Sequence, residues 1–165
     1  MALRKIKNPW KDNDREKDYN CFGCSPFNEI GLHLEFWEDG DEVLAKWQPR
    51  KSLEGWMGVV HGGIQATLMD EIGGWVVMIK LKTAGVTSEM NVTYLKPVKV
   101  SKGELTIRGR LISVEERIAK ISCSLIDNDG TECAKANIAY FCFPEKVAKA
   151  RYHYPGIEAF YEVNT

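Results

Sequence analysis

The chain has 165 residues, 44% of them hydrophobic and 27% charged, the make-up of one globular domain with a core of its own. Its 22 basic residues are scattered among 23 acids for a formal net charge of -1, so no basic stripe for nucleic acid or a membrane surface appears. Small-molecule or protein partners are expected. Nowhere do about 18 apolar residues run together, and no apolar segment follows the basic residues of MALRKIKNPWKDNDREKDYN, so a soluble, unexported, cytoplasmic chain is expected.

Residues 1–30 read as an N-terminal extension whose first 20 positions are polar. Five cysteines is an odd count, and Cys123, Cys133 and Cys142 fall in strand-like segments, which favours reduced thiols over a disulfide framework. Cys21 and Cys24, in CFGC, form an isolated CxxC pair. A structural zinc site takes four ligands, and His33 or a distant Cys are the candidates to complete this one; a packed turn without metal or redox role is the expectation.

Residues 31–144 carry the fold. Leu32, Leu34 and Phe36 alternate with His33, Glu35 and Trp37, and EDGDE at 38–42 supplies a hairpin turn before VLAKW, which predicts two antiparallel strands. After the irregular SLEGWMG the period changes to about 3.6, with Ile64, Leu68, Ile72, Val76 and Ile79 on one stripe, predicting a long helix over Gly62–Lys82 closed by Lys80, Lys82 and Gly85. Four more strands follow, at Val86–Leu95, Glu104–Val114, Ile118–Asp127 and Glu132–Phe143, with DNDG as the last tight turn. One helix facing about six strands is best buried by wrapping an antiparallel sheet around it, an α+β solution. Residues 145–165 read as a tail with aromatic spots at Tyr152, Tyr154, Phe160 and Tyr161.

The helix start carries the chemistry. Gly62 and Gly63 expose amides without intrahelical acceptors at the positive end of the helix dipole, which makes an oxyanion site, or else lets the helix pack tightly on a strand. Further along, Asp70 and Glu71 sit beside the apolar stripe among uncharged residues, where a core helix prefers no acid.

His61, Gly62, Gly63 and Asp70, with the later strand SEMNVTYLKPV, resemble the PaaI-like branch of the hotdog-fold acyl-CoA thioesterases, from about Cys21 to Phe143. CFGCSPFNEIGLHLEF is similar to the lead-in of a subgroup of that branch. The resemblance implies a helix wrapped by a curved antiparallel sheet and the hydrolysis of acyl-CoA to a carboxylic acid and CoA. It places the catalytic acid at Asp70, the oxyanion-hole amide at Gly62 and a water-positioning hydroxyl at Thr87, with His61 structural or shaping the hole. Many members carry an Asn where this chain has Gly55.

Gly62 and Asp70 lie eight residues apart, about 12 Å along one helix. A thioester carbonyl must touch both groups within about 3.5 Å, so two copies with antiparallel helices are required, as a homodimer or a dimer of dimers. Thr87, Glu89, Asn91 and Thr93 share parity and are expected to line one polar cleft, with His61, Gly63 and Asn91 binding substrate. CoA is substrate, no metal or other cofactor is expected, and Lys96, Lys99 or Lys102 are candidates for its phosphates. Trp56, Met57, Met69, Trp75 and Met78 are candidates for the acyl pocket. The rival readings are a non-catalytic acyl-CoA or acyl-chain binding module, and a hotdog dehydratase or hydratase, which the spacing from HGG to Asp70 disfavours.

Overall fold

In the computed structural model, which describes residues 2–12 and 18–163, the change of period produces α1 (Gly62–Lys80). Leu68, Ile72, Val76 and Ile79 are buried as the stripe requires, and Ile64 at its open end is half-buried. Leu81 is the C-cap and Lys82 takes a positive φ of 56°. The left-handed residue after the helix is therefore a lysine, and Gly85, expected as part of the stop signal, opens the next strand instead.

Among the described residues, one antiparallel sheet of seven strands curves around α1 in the order β1-β2-β3-β5-β6-β7-β4. The strands are β1 (Arg4–Ile6), β2 (Glu35–Asp39), β3 (Glu42–Trp47), β4 (Gly85–Tyr94), β5 (Leu105–Glu115), β6 (Ile118–Ile126) and β7 (Glu132–Cys142). The expected six falls one short because RKI in the polar leader pairs with β2 and buries Ile6; three residues are too few for an alternation to register. Leu32 and Leu34 are buried as expected but precede the strand. Their amides donate to the carbonyls of Phe22 (2.7 Å) and Gly23 (2.9 Å), so this stretch is bonded to the CFGC turn.

The parity expected along β4 is broken. Thr87 pairs with Tyr140 but Glu89 pairs with Ala139, so a bulge at Ser88 reverses every side chain beyond it. Thr87 shares the helix-facing side with buried Tyr140, whereas Glu89, Asn91 and Thr93 lie on the outer side with Ala139, Asn137 and Lys135. Asn91 is thus on the wrong face to line a cleft beside α1. Met90, Val92 and Tyr94 take the inner side in its place.

The termini close over the same helix. Phe36 stacks on Trp75 with ring centroids 4.0 Å apart, and Trp10 and Phe160 meet Trp75 edge-on at 6.2 and 5.7 Å. After β7 the short α2 (Glu145–Arg151) leads to buried Tyr154 and Phe160, so the tail aromatics pack on their own chain. Among the described residues, no helix is long and apolar enough to cross a membrane.

Candidate active site

His61 is the N-cap of α1, and its Nδ1 accepts the Gly63 amide at 2.9 Å. That bond fixes the proton of a neutral imidazole on Nε2 and occupies Gly63, so the two glycines are not equivalent donors. Gly62, the first helical residue, keeps an N–H with no acceptor among the described residues, at the positive end of the helix. Its carbonyl accepts the Tyr94 hydroxyl at 2.7 Å, which braces this turn against β4. The helix start therefore leaves the Gly62 amide unpaired among the described residues, while His61 acts as a cap.

A cleft of about 850 Å³ opens at this point, with Trp56, His61, Gly62, Gln65, Tyr94 and Lys96 in its wall. Gln65 is buried and donates Nε2 to the Val60 carbonyl at 2.9 Å, leaving Oε1 buried without a partner among the described residues. Of the three lysines considered for phosphates, Lys96 lines this cleft; Lys102 is paired with Asp127 and Asp129 at 3.1 and 2.8 Å.

Two turns along the helix, Asp70 is held from the sheet. The Thr87 hydroxyl donates to Asp70 Oδ1 at 2.7 Å, and the Tyr140 hydroxyl reaches the same oxygen at 2.9 Å and the Asp70 carbonyl at 2.6 Å. Oδ2 takes no hydrogen bond among the described residues. Burial, with the Asp70 charge beside it, pushes the Tyr140 hydroxyl well above its usual value, so it stays protonated and donates. Tyr140 comes this close because position 73 is glycine: a Cβ there would collide with its hydroxyl. Burial likewise pushes the nearby Cys123 thiol up, and it is no nucleophile.

Glu71 turns the other way. Its Oε1 accepts Trp75 Nε1 at 3.1 Å and both carboxylate oxygens face Cys21 Sγ, at 3.5 and 3.6 Å. Glu71, Gly74, Trp75 and Met78 form the helix wall of a cavity of about 540 Å³ whose other side includes Cys21 and Cys24. Of the candidates for the acyl pocket, Trp75 and Met78 line this cavity on the Glu71 side of the helix, Met69 is wholly buried, and Trp56 and Met57 are exposed near the helix start.

A family model described as the thioesterase superfamily matches residues 57–134. A Saccharolobus solfataricus protein named "Putative esterase SSO1253" is 35% identical over 112 residues, 67% of this chain and 72% of that one. The chain belongs to the thioesterase superfamily. Mouse acyl-coenzyme A thioesterase 13 is 34% identical over 70 residues, 42% of this chain, and there the chain spans only about half the relative's length, 49%. Among solved structures, a Streptococcus pneumoniae TIGR4 hypothetical thioesterase with coenzyme A superposes with a TM-score of 0.62 at 28% identity, covering 68% of this chain and 87% of that one. The helix in a curved antiparallel sheet is the superfamily's hotdog fold, and its members are thioester hydrolases.

The segment matched by the family model excludes both Tyr140 and the CFGC turn. The sequence pattern does not single out Tyr140 either. The signal was Gly73: a glycine inside a helix marks a close approach, here by that ring. Nor does His33 complete the CxxC pair, since its Nε2 lies against the Asn28 carbonyl and its side chain is exposed.

Proposed function

We propose that the chain hydrolyses acyl-CoA thioesters to a carboxylic acid and CoA, at sites where Asp70 of one copy faces the Gly62 amide of a second. One observation carries the reading. Thr87 donates to Asp70 Oδ1, Tyr140 shares its one proton between that oxygen and the Asp70 carbonyl, and no donor among the described residues reaches Oδ2, so the carboxylate is fixed in direction while one oxygen is left for a water or a thioester carbon. The coenzyme A bound in the pneumococcal relative's structure and the name of the mouse relative support acyl-CoA as the substrate class.

In the general-base route, Oδ2 takes a proton from water and the new hydroxide forms a C–O bond at the thioester carbonyl. Negative charge gathers on the carbonyl oxygen, where the Gly62 N–H accommodates it. The C–S bond then breaks, and CoA leaves as a thiolate that takes up the proton held by Asp70. In the nucleophilic route Oδ2 attacks the carbonyl itself, the C–S bond breaks and CoA leaves as a thiolate, and water then opens the resulting anhydride to the carboxylic acid and the Asp70 carboxylate, its released proton going to the CoA thiolate. A single turnover in ¹⁸O-water that leaves label in Asp70 identifies the nucleophilic route, with water attacking the Asp70 carbonyl of the anhydride, because the general-base route puts the water oxygen only into the product acid. In this reading Thr87 and Tyr140 position the acid, and neither route calls on a cofactor.

The continuity of α1 supports the second copy in this reading. Eight residues of unbroken helix hold Gly62 and Asp70 about 12 Å apart. β4 is an edge strand of ten residues with exposed Val86 and Tyr94, an edge that an antiparallel partner would cover.

Thiol release measured over aryl, short-chain and long-chain acyl-CoAs tests the activity; binding of every ester without release would instead identify a binding module. Mixing inactive Gly62→Pro and Asp70→Asn chains tests the shared site. Proline suits the first helical position, and His61, at φ -55° and ψ 136°, already has the backbone that a residue before proline adopts. Random re-pairing makes half the dimers mixed, each with one intact site, so activity should return to about a quarter of the wild-type sites. No return, with subunit exchange confirmed by mass spectrometry, places the site within one chain.

A further inference from the structure

The CFGC turn and Glu71 meet although nothing in the thioesterase reading uses them. Cys21 Sγ, Cys24 Sγ and a Glu71 carboxylate oxygen all lie within 4.8 Å of one another. The turn is closed by the Ser25 amide donating to the Cys21 carbonyl at 3.0 Å, which brings the two thiols of the CxxC pair to the same side. Gly23, between them, has no Cβ to collide with the Glu71 carboxyl. We propose that Cys21, Cys24 and Glu71 form a zinc site that ties the N-terminal segment to α1.

The spacing fits the ion. Tetrahedral zinc, with Zn–S of about 2.3 Å and Zn–O of about 2.0 Å, holds its sulfur and oxygen ligands about 3.5 Å apart. Cys21 Sγ stands 3.5 and 3.6 Å from the two Glu71 oxygens. Thiolate with carboxylate suits zinc better than magnesium or calcium, which take all-oxygen sets. The surrounding groups orient the ligands as well. Trp75 Nε1 donates to Glu71 Oε1, and the Tyr19 hydroxyl lies 2.7 Å from Cys24 Sγ, placed to donate to a thiolate there. The fourth position faces the cavity of about 540 Å³, which has room for water. Binding releases two protons, one from each thiol, and leaves both sulfurs as thiolates on the ion.

This site is independent of the acyl-CoA reading, and metal content is its readout. Full-length chain purified in reducing, chelator-free buffer is expected to carry about one zinc per chain by mass spectrometry of the elements, and the Cys21→Ser, Cys24→Ser double variant less than about a tenth of that. Should the double variant fail to fold, native-sequence chain produced in zinc-poor, cobalt-supplemented medium gives the answer, through a near-ultraviolet thiolate-to-cobalt charge-transfer band. Wild-type chain without stoichiometric zinc, equal zinc in the folded double variant, or cobalt-grown chain without that band overturns the proposal. So does a Cys21–Cys24 disulfide in chain purified under those reducing conditions.

Discussion

Asp70 and Glu71 are neighbours in sequence, both half-buried on α1, yet they belong to different halves of the molecule. Asp70 faces the sheet, where Thr87 and Tyr140 fix one of its oxygens. Glu71, about 100° around the helix, faces the N-terminal segment, where its neighbours are Cys21 and Trp75. The hydroxyls are mounted on β4 and β7 and leave one oxygen of Asp70 without a donor among the described residues, whereas Glu71 is engaged at both oxygens in joining two parts of the chain. Equal side-chain chemistry is thus given different surroundings by where one helical step points it, and in the proposed reading only Asp70 takes part in the reaction.

The sharpest way to break this comparison is to neutralise each acid. Asp70→Asn is expected to lower turnover by at least about 10²-fold, the scale of a lost general base, with circular dichroism unchanged. Glu71→Gln should cost turnover far less and lower the melting temperature instead. Equal losses in a thiol-release assay would mean that the two acids are not functionally distinct.

The hydroxyls come next. Tyr140→Phe and Thr87→Ala each remove one donor to Oδ1, and each is expected to reduce kcat by about 10- to 150-fold with KM nearly unchanged, given that a hydrogen bond to a charged group contributes about 1.5–3 kcal/mol. A change in KM alone would assign them to substrate binding and not to holding the acid.

Two glycines then sharpen the contrast. Gly73→Ala drives a Cβ into the Tyr140 hydroxyl, so its main effect should appear in kcat through a displaced Asp70. Gly23→Ala drives a Cβ into the Glu71 carboxyl; it should leave turnover within about two-fold and lower stability by about 1–3 kcal/mol, the usual cost of overpacking, read by urea unfolding. If Gly23→Ala were the one to abolish turnover, the N-terminal segment would belong to the reaction.

The hydrophobic alternation and the change of period were sufficient to place α1 and strands β2 to β7, because one buried face per element leaves a repeat of about 3.6 or 2 in the residues themselves. The motif around His61 located Gly62 and Asp70 for a similar reason: a helix start and a fixed spacing along it are local properties. The missing strand β1 was beyond that reach, being too short to show a repeat. Tertiary structure alone decided three things. The bulge at Ser88 put Thr87 on Asp70 and turned Asn91 away, since a single extra residue inverts every face that follows and leaves no compositional trace. Tyr140 arrived at Asp70 from 70 residues further along the chain, and Cys21 at Glu71 from 50 residues before it. Such contacts are set by how the sheet curves around the helix and by which small residues let the partners approach, and a pattern of nearest neighbours in the sequence carries neither.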